Sequence, residues 1–215
     1  MVALRRDGRP LIATRPVVRV LRLPRIACTP ARAPTRRTVI ADAWSDLPDA
    51  RREAAELSSV LGFTAAVGPA ATSAALFQAA GSDVLHIAVH AAVGAGGGVL
   101  ALRDRSVSAL EISAARLGSP LVMLSACGTA SAADAELAGS LAAGFLAAGS
   151  DQVVATLRPV SDAGARRLTT RFYSAGGMTD PVRALARIQA ELADTGDTDW
   201  PRFAVFGHDT CSDVY

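Results

Sequence analysis

Two apolar runs of strand length, each ending in a reactive side chain, constrain this chain more than any other feature. One is Val84-Leu85-His86-Ile87-Ala88-Val89-His90; the other is Leu121-Val122-Met123-Leu124-Ser125-Ala126-Cys127, followed by Gly128 and Thr129. Both have the length and composition of strands buried on two faces, as in a parallel sheet. In an open parallel sheet, ligands and catalytic groups gather beyond the carboxyl ends of the strands. Neighbouring parallel strands ending in His90 and Cys127 would bring an imidazole and a thiol into one crevice. A cysteine nucleophile needs that arrangement, because the thiolate attacks and a nearby base must generate it.

The rest of the pattern supplies strands and helices in alternation. Short strands are expected at 38–43, 99–102, 152–157 and 203–206, beside the runs at 83–90 and 120–126. Helices are expected at 46–61, started by Asp46 and Pro48, and at 71–80, 111–117 and 133–148, the last closed by Gly149. Asp162 is expected to cap a helix through Tyr173, and Asp180-Pro181 to open another. Residues 91–98 read as a glycine-rich loop. Residues 11–25 read as an edge strand, since Pro16 and Pro24 exclude a central one. Alternation of this kind implies an α/β sandwich with a mainly parallel sheet covered on both faces. No internal repeat is visible.

Charge is divided unevenly. Arginine supplies all 22 positive charges, and lysine and asparagine are absent, a coding bias that suggests a bacterial source. Residues 1–37 hold ten arginines and one acid; the remainder holds twelve arginines and nineteen acids. The basic arm is expected to be a peripheral strand plus linker, or upstream sequence from a misplaced start. Nucleic-acid binding is disfavoured because no aromatic platform accompanies the charge. Three cysteines, Cys28, Cys127 and Cys211, show no framework spacing. With no secretory signal and no run of about 20 apolar residues, the expected location is cytoplasmic, away from any membrane.

These segments resemble a known family. The strand ending in His90, the Leu-Ser-Ala-Cys-Gly-Thr stretch (124–129) and Val153-Val154-Ala155-Thr156-Leu157-Arg158-Pro159-Val160-Ser161-Asp162 are similar to the CHAT domain, a caspase-like domain often fused to tetratricopeptide repeats. So are the acidic helix opening at 46–51 and the closing strand at 200–208. The resemblance spans roughly 38–208, leaving 1–37 as arm and 209–215 as tail.

The resemblance implies a caspase-like three-layer α/β sandwich and a cysteine endopeptidase that cleaves protein or peptide substrates with Cys127 and His90, without a cofactor. Backbone N–H groups of Ala91 and Cys127 would form the oxyanion hole. A tetratricopeptide-repeat or other recognition partner acting in trans is also implied. Two positions depart from the family: Ala91 stands where glycine is usual, and Arg158 where tryptophan is usual. Asp162 matches a family aspartate, which leaves a substrate-binding carboxylate and a helix cap both open, with Arg158 beside it. The alternative is a catalytically inactive CHAT-type interaction module. Other chemistries are weaker. Gly94, Gly96, Gly97 and Gly98 lack the strand–loop–helix context of a phosphate loop. His86, His90, Cys127, His208 and Cys211 lack a zinc-ligand framework, so no metal is expected. No G-x-S-x-G frames Ser125. His86 reads as a hydrogen-bonded core histidine.

Overall fold

The structure, a computed structural model, describes residues 5–6, 9–10, 18–19, 34–94, 97–125 and 134–207. Two short strands, β1 (Arg5–Arg6) and β2 (Arg9–Pro10), pair as a hairpin. The elements that follow are β3 (Val18–Arg19), β4 (Arg37–Ala41), α1 (Pro48–Leu61), β5 (Thr64–Val67), α2 (Ser73–Gln78) and β6 (Val84–Ala88). Three strands come next, β7 (Ala91–Gly94), β8 (Gly97–Ala101) and β9 (Ser106–Ser108), then α3 (Ala109–Ala114), β10 (Leu121–Leu124) and α4 (Asp134–Ala147). The chain continues through β11 (Gln152–Thr156), α5 (Asp162–Ser174), α6 (Pro181–Leu192) and β12 (Phe203–Gly207).

The main sheet has the order β3-β12-β11-β10-β6-β4-β5. From β5 to β11 every pairing is parallel; β12 runs antiparallel to β11, and β3 runs parallel to β12 at the edge. Alternate side chains sort to opposite faces, as the two-residue strand period demands. Ile40, Leu85, Ile87, Val122, Leu124 and Val153 pack with Leu76 of α2, Ile112 of α3 and Phe145 of α4. Val39, Val84, Met123, Val154 and Val205 face Leu57 of α1, Phe172 of α5 and Ile188 of α6. The result is a three-layer sandwich with a core on each side of the sheet.

Helix boundaries follow from local chemistry. Pro48 begins α1, and Gly62, at φ 68°, ends it by donating its N–H to the Leu57 carbonyl. The expected third helix starts at Ala109, two residues early, because Ser108 and Glu111 form a capping box. A correction applies to α5. Its N-cap is Ser161, whose hydroxyl accepts from the Gly164 N–H; Asp162 is the first helical residue.

The expected loop at 91–98 is another correction, because β7 and β8 pair antiparallel, with Val93 opposite Gly98 and Gly94 opposite Gly97. Gly97, the first residue of β8, takes φ 100°, a conformation open to glycine, while Ala91 to Val93 extend. The strands β5 and β9 went unanticipated, being short and only partly apolar. Between the paired Arg6 and Arg9 of β1 and β2 the sequence reads Asp7-Gly8, a dipeptide favoured in two-residue hairpin connections. The expected edge strand is met by β3, although most of 11–25 lies outside the described residues. Among the described residues, no helix is long and apolar enough to cross a membrane.

Candidate active site

The parallel strands β4, β6 and β10 lie side by side and end at one edge of the sheet. β6 and β10 pair from Val84 with Leu121 to Ile87 with Leu124, and the ladder runs on through the Ser125 N–H to the Ile87 carbonyl at 2.8 Å. His90 and Cys127 stand at equal counts, three residues beyond the last paired positions. Cys127 itself lies outside the described residues, as do His208, Cys28 and Cys211.

His90 has left the strand. Its carbonyl accepts from the Ala101 N–H at 2.9 Å, which ties the turn to β8. Its ring is 39% exposed, and Nε2–H donates to Oδ2 of Asp46 at 3.0 Å. Asp46 belongs to the connection between β4 and α1. Residue Trp44 of the same connection is half exposed, with the Arg103 guanidinium stacked 5.4 Å from its ring centre. The hairpin carrying Arg103 is fastened to α2, because the Asp104 carboxylate accepts from both the N–H and the hydroxyl of Ser73. Those bonds hold the Asp104 carboxyl below the ordinary carboxylate range.

Ala91 sits in β7 with an ordinary extended backbone, outside the positive-φ region. Glycine's special conformation is therefore not required here. The bond from Ala101 to the His90 carbonyl makes Ala91 and Leu100 a non-hydrogen-bonded pair, so the Ala91 N–H points away from β8.

Asp162 has a role that neither sequence reading anticipated. Its two carboxylate oxygens accept the backbone N–H groups of Asp49 at 2.7 Å and Ala50 at 3.0 Å. Those are orphan donors of α1, whose own N-cap, Leu47, offers no side-chain acceptor. Asp162 thus caps a neighbouring helix across the fold. Arg158 is exposed and makes no ion pair with any described residue.

His86 forms a different site under α1 and α5. It is fully buried; Nδ1 shares a hydrogen bond with the Tyr173 hydroxyl at 3.0 Å, and Nε2 lies 3.3 Å from Glu53 Oε1 without forming a hydrogen bond. Thr169 donates its hydroxyl to Glu53. Burial pushes the Glu53 carboxyl up to about 8 and the His86 imidazole down to about 3. At neutral pH both groups are therefore uncharged, and the close contact is not an ion pair. A cavity of about 460 Å³ between the later turns of α1 and α5 contains neither His90 nor Asp46. Among the described residues no cluster of three or more histidine, cysteine or acidic groups could hold a metal.

The CHAT-domain family model matches residues 3–208, nearly the whole chain. The chain belongs to the CHAT-domain family. The match begins inside the basic arm and so takes in more than the segment from residue 38. Among solved structures, this CHAT domain is similar to the separase–securin complex of Saccharomyces cerevisiae, at a TM-score of 0.55 and 13% identity, over 89% of this chain and 12% of that one. At that identity the likeness shows fold alone: the CHAT domain is a caspase-like α/β sandwich, spanning a small part of the larger protein's length. No curated protein sequence matches it.

Proposed function

We propose that this CHAT domain is a cysteine endopeptidase of the caspase-like type, acting on protein or peptide substrates. The observation that supports this best is the parallel pairing of β6 with β10, beyond whose last pair, Ile87 with Leu124, the sequence reaches His90 and Cys127 at matching counts of three residues. In this reading His90 takes the proton from the Cys127 thiol. The thiolate attacks the scissile carbonyl carbon, and its oxygen becomes an oxyanion held by the N–H groups of Ala91 and Cys127. The protonated imidazole then gives its proton to the leaving amine. An acyl-enzyme remains, and water releases it. The chemistry requires no cofactor. Because Asp162 is engaged in capping α1, substrate choice falls to other groups around the cleft.

The test is proteome-wide cleavage profiling of the wild-type chain against Cys127→Ala, with labelling of Cys127 by a thiol-reactive peptide probe. Neo-termini that appear only with the wild type support the enzyme. Equal profiles and an unlabelled Cys127 would instead favour a non-catalytic interaction module.

A further inference from the structure

We propose that Asp46 is the positioning residue for His90; the proposal rests on the reading of His90 as the base of a cysteine endopeptidase. The geometry comes from the connection between β4 and α1, which is built to hold one carboxylate in place. Asp42, which follows the last residue of β4, is almost fully buried, and its N–H donates to the Ala88 carbonyl at 2.9 Å, next to the end of β6. Its side chain closes the loop from within: Oδ1 accepts the Leu47 N–H at 2.8 Å, and Oδ2 accepts Nε of Arg51 at 2.7 Å. The Ser45 N–H returns to the Asp42 carbonyl at 3.1 Å.

Two residues of this short loop, Asp42 at φ 49° and Ser45 at φ 63°, hold left-handed backbone conformations without being glycine. Such conformations carry a strain energy and persist only where the surroundings enforce them, often at functional sites. What the loop achieves is the placement of Asp46 Oδ2 3.0 Å from His90 Nε2. An exposed pair of this kind returns little stability. Its consequence lies in the imidazole. A carboxylate accepting from Nε2–H keeps the proton on that nitrogen and leaves Nδ1 bare. Nδ1 has no partner among the described residues and is the nitrogen that receives the Cys127 thiol proton, the S–H electron pair remaining on sulfur. Asp46 then faces the resulting imidazolium until Nδ1–H passes its proton to the leaving amine.

The experiment reads the ring directly. The full chain, labelled with ¹⁵N-histidine, is compared with Asp46→Ala and Asp46→Glu, the His90 signals being assigned from His90→Ala. Peptide cleavage is measured on the same proteins. In the wild type, His90 should show the Nε2–H tautomer. Asp46→Ala should mix the tautomers and lower kcat about ten- to a hundredfold, short of the 10²–10⁴ expected for the base itself, with KM nearly unchanged. Asp46→Glu should recover part of both. An unchanged tautomer in Asp46→Ala would overturn the proposal whatever happens to the rate. A changed tautomer in a chain that cleaves nothing, wild type included, would uphold the positioning role and overturn the protease reading instead.

Discussion

Two histidines four residues apart on one segment, each beside an acid, have opposite fates in this molecule. His86 and Glu53 are 0% and 2% exposed, under α1 and α5; His90 and Asp46 are 39% and 55% exposed, at the carboxyl edge of the sheet. The buried pair is stripped of water, so burial outweighs mutual attraction and both groups become neutral. The exposed pair keeps its solvent and lies at the edge where β6 and β10 end. The comparison shows that residue type and spacing alone do not assign a role. Where the strand stops does: β6 ends at Ala88, so His86 stays in the core while His90 leaves it.

The largest expected effect separates the two regions outright. His90→Ala and Cys127→Ala should each abolish proteolysis with little change in melting temperature. His86→Ala should lower the melting temperature, because it opens a cavity and strips the Tyr173 hydroxyl of its partner. If His90→Ala destabilises the chain as much as His86→Ala does, the division into core and edge fails.

Glu53 sharpens the same contrast. Glu53→Ala should cost about 2–4 kcal/mol in urea unfolding, from the lost packing and the lost Thr169 hydrogen bond, the Thr169 hydroxyl keeping only the Ala165 and Arg166 carbonyls as acceptors. Glu53→Gln should cost about 1 kcal/mol or less, since the native carboxyl is already neutral. The pH dependence follows by counting protons. The folded pair holds one proton between about pH 3 and 8, whereas unfolded histidine and glutamate lose theirs near 6.5 and 4.5. From pH 4.5 to 6.5 both states hold one proton, and the pair's contribution is flat. Above 6.5 the unfolded chain holds fewer, so stability falls by ~2 kcal/mol up to pH 8. Below 4.5 the unfolded chain holds more, so stability falls again. Urea midpoints across pH 4–9 measure this, and Glu53→Gln should remove the alkaline fall.

A smaller effect concerns the helix that supplies Glu53. Asp162→Ala should cost roughly 0.5–2 kcal/mol, the value of a helix cap, and leave the cleavage preference of a peptide library unchanged. A shifted preference would return Asp162 to the substrate cleft. Smallest is Ala91→Gly. Because Ala91 is already extended, glycine should not raise turnover, and it should cost about 0.5–1 kcal/mol through chain entropy. A faster variant would mean that the oxyanion donor is strained after all.

Much of this architecture could be read from residue order. The buried strands β6, β10 and β11 announced themselves as apolar runs, and α6 by its Asp180-Pro181 start and its apolar spacing, because burial on two faces or on one helical stripe leaves a local trace. His86 was recognisable as a core histidine from its place within a run. The strand expected at 99–102 is met by β8, but its partner β7 was hidden, since Ala91, Ala92 and Gly94 carry no strand signature and extend only because they find Leu100, Val99 and Gly97 opposite them.

What the sequence determined by itself is therefore the layered α/β plan and the two strand ends on which His90 and Cys127 follow. Tertiary structure alone decided which acids meet which partners. Asp46 reaches His90 across 44 positions, Glu53 of α1 lies directly against His86 of β6 at 3.3 Å, and Asp162 caps a helix 112 residues upstream. Hydrogen bonds and charge contacts act over a few ångströms, and only the folded chain brings groups so far apart in sequence within that range.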